Sequence, residues 1–179
     1  MGDWSETDRG YNRIAIGTTS PESVGIDSIH VGTASQAAGQ AWPAVNRAIY
    51  IPFVVYSEII ATKMNVVVGT ASGSIDIAIY TADQSRLVSS GPTSVAGSSA
   101  IQTLDITDTT LGPGVYYMAM LCTNTNATFT ACTPGAPVTG AFGVLSQAVG
   151  AATLPNPATF AAAVNTYVPF VMIATRTTI

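Results

Sequence analysis

The stretch "GSIDIAIYTADQSRLVSSG", residues 73–91, decides the fold class. Ile75, Ile77 and Ile79 alternate with Asp76, Ala78 and Tyr80, and a period of two puts the isoleucines on one face of a strand. "ADQS" (82–85) then turns the chain into "RLVSSG". The pair predicts an antiparallel hairpin with its isoleucines inward, Asp76 on the solvent face and Asp83 in the turn.

The same period recurs on both sides. In "RAIYIPFVVY" (47–56), Ile49, Ile51, Phe53 and Val55 share a face. Pro52 lies inside that run and has no N–H for a ladder, which predicts an edge or bulged strand. In "IIATKMNVVVG" (59–69), Ile60, Met64, Val66 and Val68 share a face, with Thr62, Lys63 and Asn65 loosening the pattern. "SAIQTLDI" (99–106) predicts a strand closed by the Asp/Thr/Gly/Pro turn before Val115, with Asp105 and Asp108 in that turn. Val115–Cys122 is apolar on both faces, with Tyr116, Met118, Met120 and Cys122 on one and Val115, Tyr117, Ala119 and Leu121 on the other. Antiparallel sheets commonly wet one face. Such a strand therefore calls for a cover, which could be an N-terminal arm, a long loop or a neighbouring subunit. "ATFTAC" (127–132) is expected to fold back on it through "TNTN" (123–126), with Cys122 opposite Ala127 and Cys132 opposite Tyr117. Both cysteines are then free buried thiols, too far apart for a bridge. In "YVPFVMIATRTTI", Val168, Phe170, Met172 and Ala174 alternate, and 147–165 reads as a crossing loop rather than a short helix.

About eight strands without a convincing helix give an all-β chain, an antiparallel β-sandwich of jelly-roll type. Residues 47–179 form the sandwich. Residues 1–46 read as an extended N-terminal arm and linker with one or two short strands, carrying both tryptophans and His30, the single histidine. "VGTAS" at 31–35 and 68–72, and "IGTTS" at 16–20, read as strand-to-turn exits.

Charge separates the function classes. Charged residues make up 9 % of 179, and residues 109–175 contain none; an average domain has about 25 %. Two readings stand: a surface sealed by partners, or a hydroxyl-coated β-protein. The six cations form no cluster and the net charge is −4, which argues against nucleic acid. No apolar run is long enough for a bilayer span. The opening "MGDWSETDRGYNR" lacks the apolar core of a secretory leader. Enzymatic chemistry is not expected. One histidine cannot easily serve a nucleophilic triad, "GTASG" is not a nucleophile elbow, and no phosphate-cradling loop or zinc spacing occurs. Asp105 and Asp108 read as turn formers, with a calcium site as the alternative, so no catalytic residue, metal or cofactor is assigned. Tyr56, Tyr80, Tyr116 and Tyr117 fall on different strands and faces, which disfavours a common sugar-stacking platform. The partner-contact candidates are Trp4, Tyr11, Trp42, Tyr116, Met118 and Met120. Tryptophans on an arm serve equally as interface anchors or as plugs into their own domain.

The segment "DIAIYTADQSRLVSSGPTSVAGSSAIQTLDITDTTLGPGVYYMAM" (76–120) resembles a recurrent segment of tailed-bacteriophage virion proteins, and "VPFVMIATRT" resembles the strand that ends many of them. The resemblance covers roughly 47–179 and rests on turn and strand signatures. It implies a jelly-roll-like module without catalytic residues, located in the virion after assembly in the bacterial cytoplasm. Such modules serve as capsid decoration or minor capsid proteins, head fibres, or tail-fibre and tail-tip parts, often as homotrimers, with the major capsid protein as a further partner. Carbohydrate-binding modules share the shape, so a glycan is the alternative ligand.

Overall fold

The computed structural model describes residues 28–31, 37–132, 143–163 and 167–177. Among them there is no helix, and two antiparallel sheets pack face to face as a β-sandwich. Sheet I runs β1 (Ser28–Val31), β14 (Val171–Thr177), β4 (Ile59–Thr70), β10 (Thr128–Cys132), β13 (Val168–Pro169). In the same sheet β2 (Ala37–Ala41) pairs with β10, and β8 (Ala100–Leu111) pairs with β4. Sheet II runs β12 (Ala161–Ala162), β11 (Leu145–Ala148), β3 (Arg47–Val55), β9 (Gly114–Cys122), β5 (Ser74–Thr81), β6 (Arg86–Ser89), with β7 (Thr93–Ser94) also on β5. The chain changes sheet at most connections between its longer strands, so each sheet is built from strands distant in sequence.

The core between the sheets follows the alternation. Ile49, Ile51, Phe53 and Val55 of β3 and Ile75, Ile77 and Ile79 of β5 all point into it. Burying such a side chain contributes roughly 1.5–3 kcal/mol, so the period-two pattern is what selects the inward face. The hairpin of β5 and β6 forms as the sequence predicts, with Tyr80 opposite Arg86. At the preceding turn Gly73 has φ +68°, and a Cβ there would lie 2.6 Å from Asn124 Cβ; both facts require glycine.

Several expectations are corrected. β10 does not fold back on β9: 123–126 carries the chain to the other sheet, where β10 pairs with β4, β2 and β13. β8 does not stop at residue 106. It continues to Leu111 against Ile59, so Asp105 and Asp108 stand on a strand and only Gly112–Pro113 turns. The β4–β8 register slips around Thr62, so Ala61 and Met64 are both buried while Ile60 is left half-exposed. On the last strand the faces are exchanged: Val171 and Ile173 are buried, because the backbone breaks between β13 and β14 at Phe170. β3 has neighbours on both sides, but β11 pairs only with Arg47–Tyr50, so Pro52 sits where that flank carries no ladder. The arm boundary at 46 also cuts through the sandwich, since β1 pairs with β14 and β2 with β10. Trp4, Tyr11 and the first "GTTS" exit lie outside the described residues.

Candidate interaction surface

Of the residues expected to meet a partner, the four described ones, Trp42, Tyr116, Met118 and Met120, do not converge on one surface. Trp42 is a plug. It is 1 % exposed, meets Phe129 and Tyr167 edge-on at 5.9 and 5.3 Å, and donates from Nε1 to the Arg47 carbonyl at 3.2 Å. Met118 and Met120 are fully buried in the central core, opposite Ile79 and Ile77 of β5. Tyr116 is half-buried against Phe53, and its hydroxyl donates to the Gly112 carbonyl at 3.0 Å. As partner contacts, Met118 and Met120 would have to lie on the face of β9 turned away from the core, and they do not. The opposite face of β9, with Tyr117, Ala119 and Leu121, is the outer one, because Met118 and Met120 fill the inter-sheet space.

That outer face has its cover within the chain. Residues 149–160 form a strap across sheet II, and Leu154 and Ala158 pack on Ala48, Tyr50, Ala78, Tyr80, Ala119 and Leu121. The alanines leave the depth that the strap fills. Phe160 stacks at 4.6 Å from Tyr50 and 4.7 Å from Tyr117. Polar side chains of the sheet hold the strap backbone. Asp76 is completely buried, not solvated; its carboxylate accepts from the Leu154 N–H at 2.8 Å and from the Ser89 hydroxyl at 2.6 Å. Arg86 Nη1 donates to the Leu154 carbonyl and Tyr80 Oη to the Pro155 carbonyl, both at 2.5 Å. Burial pushes the Tyr50 and Tyr80 hydroxyls well above the usual phenol range. Sequence reasoning missed Asp76 as the strap's anchor. The available signal was an acid in mid-strand, directly between Ile75 and Ile77 and sharing its sheet face with Ala78 and Tyr80.

The strap ends short of one end of sheet II. There Val54 and Val115 lie directly opposite each other, 41 % and 49 % exposed, next to the exposed Tyr56. This apolar strip continues from Tyr117 and is the uncovered remainder of the outer face. The outer face of sheet I mixes neutral polar side chains, a few charges and the exposed Ile101: Thr103 Oγ1 donates to Asn65 Oδ1 at 2.7 Å, and Lys63 meets Asp105 at 3.0 Å. The four tyrosines share no platform, since Tyr80 is buried, Tyr116 faces inward, Tyr117 lies under Phe160 and Tyr56 is exposed. Among the described residues no group of three His, Cys, Asp or Glu could hold a metal ion, and no helix is long and apolar enough to cross a membrane. Cys122 is free and buried, and burial raises its thiol pKa.

No family model, curated protein or solved structure matches this chain.

Proposed function

We propose that the chain is a non-enzymatic structural protein of a tailed-phage virion, a jelly-roll-type module that decorates the capsid or serves as a minor capsid protein. The observation that carries this reading is the segment 76–120, whose turn and strand signatures resemble those of such proteins. In the fold that segment supplies β5, β6, β7, β8 and β9, the middle of sheet II and the flank of sheet I. The surface chemistry agrees with a lattice-bound role: few ions, hydroxyl and amide side chains on sheet I, and the Val54–Val115 strip at one end of sheet II. Contacts of this kind draw on buried apolar area, about 25 cal/mol per Å², rather than on ion pairs. With Trp42, Met118 and Met120 in the interior, the strip replaces them as the gripping surface, together with copies of the chain and the capsid shell as partners.

The test is direct. Purified protein added to emptied capsids of the phage that encodes it should co-sediment with them and raise their melting temperature, and Val54→Asp with Val115→Asp should weaken both effects. Capsids that neither bind the protein nor gain stability would refute the assignment.

A further inference from the structure

We propose that the Ala100–Leu104 half of β8 is a docking edge for a second copy of this chain, paired antiparallel across a twofold axis at Gln102. Exposed strand edges are templates for another strand, and proteins blunt them by shortness, charge, proline or bulges. Among the described residues every other edge strand is short: β1 and β6 have 4 residues, β2 has 5, and β7, β12 and β13 have 2 each. β8 has 12, and among the described residues its one ladder partner is β4. Its second half is protected, because the register slip between Asp105 and Thr109 and the carboxylates of Asp105 and Asp108 interrupt it. Its first half, "AIQTL", has no charge, proline or bulge.

The backbone directions follow from one hydrogen bond. Ser99 N–H donates to the Gly69 carbonyl at 3.1 Å, in the register that continues as Ala100 opposite Val68. In an antiparallel ladder the bonded direction alternates. Ile101 and Thr103 therefore bond to β4, whereas Ala100, Gln102 and Leu104 direct N–H and C=O to the open side. A twofold axis at Gln102 sets Ala100 against the partner's Leu104 and Gln102 against the partner's Gln102. Each such pair exchanges two bonds, so the three pairs supply about six. The same register lays Ile101, 62 % exposed, beside the partner's Thr103 on the outer face, a favourable β-branched pair. Asp105 falls opposite the partner's Ser99, so no like charges meet. Axes at residue 105 or between 106 and 107 would set Asp105 against the partner's Asp105 or Asp108, which cross-strand repulsion disfavours.

The pairing is measured on the isolated chain and stands apart from the virion reading. In analytical ultracentrifugation the protein should reach twice its 18.3 kDa mass as concentration rises. Gln102→Pro deletes an N–H that β4 does not use, and should give a folded single-copy species. Gln102→Ala loses the same side chain, including its bonds to Ser94 and Ala96, but keeps the N–H, and should still pair. Hydrogen exchange of the unaltered protein reads the same edge without substitution. Amides of Ala100, Gln102 and Leu104 should gain protection with concentration, while those of Ile101 and Thr103 stay unchanged. A single-copy species at every concentration, dimers that persist in Gln102→Pro, or protection at none of the three amides would overturn the proposal.

Discussion

Asp76 shows how one side chain can decide a layer of the molecule. A carboxylate in the middle of a strand is costly to bury unless donors surround it, and here the Leu154 amide and the Ser89 hydroxyl do so. Asp76→Ala should leave those donors without acceptors and cost about 2–4 kcal/mol, read as a lower urea midpoint. Asp76→Asn, which keeps the shape and one carbonyl, should cost less. A midpoint unchanged in Asp76→Ala would mean that the strap is held by its apolar contacts alone. The tyrosines give the pH dependence. Tyr50, Tyr80 and Tyr167 are raised above the ordinary value of 10.0 in the fold, chiefly by burial. Below that value the phenols are neutral in both states and their contribution to stability is complete. As pH climbs past it the unfolded chain loses phenol protons that the folded chain keeps, so stability falls toward the raised folded values. Melting temperature should therefore start to drop as pH passes about 10 and go on falling above it, with the tyrosinate absorbance of these three buried phenols appearing in step with unfolding rather than before it.

At the scale of elements, the strap completes what β9 begins. Phe160 joins Tyr50, Tyr80 and Tyr117 in one aromatic group, so Phe160→Ala should cost about 2 kcal/mol, less than a fully buried ring. It should also speed exchange at the amides of Leu154 and Ala158 while leaving those of β4 alone. The strands themselves were readable because alternation is local: β3 and β5 put their isoleucines where the period places them, and the 82–85 turn joins β5 to β6. Three features depend on relations that no local pattern carries. The route of 123–126 into the other sheet is set by where β10 finds free edges, on β4 and β2. The slips at Thr62 and Phe170 each change which residues face inward by a single step, and a period of two then inverts everything beyond them. The orientation of β9 was ambiguous because both of its faces are apolar, and the strap that resolves it comes from about thirty residues further along the chain. For the surface, alternation sets Val54 on the face opposite Phe53 and Val55, but its exposure with that of Val115 follows only from how far the strap reaches.

For the whole molecule, the long run without ions has two physical sources. Part of it is spent inside: Met118–Cys122 of β9 is buried on both faces by its own chain, and the strap lies over sheet II. Another part, among the described residues, is surface where Val115 and neutral polar side chains stand in place of charges, and there the choice between a hydroxyl-coated solitary protein and a lattice-bound subunit becomes an experiment on salt. The ion pair of Lys63 with Asp105 has side chains 51 % and 83 % exposed, and exposed pairs are worth about 0–1 kcal/mol. Raising salt to about 1 M shortens the screening length to about 3 Å, which would remove such a pair and any longer-range attraction to a capsid. The fold should accordingly melt within a few degrees of the same temperature across that range. If the Val54–Val115 strip grips the shell through apolar area, capsid affinity should hold or strengthen over the same interval, since excluded salts favour burial. Affinity that collapses with salt would place the grip on charges instead, and would move the contact away from the strip and toward the charged residues in the first 108 positions.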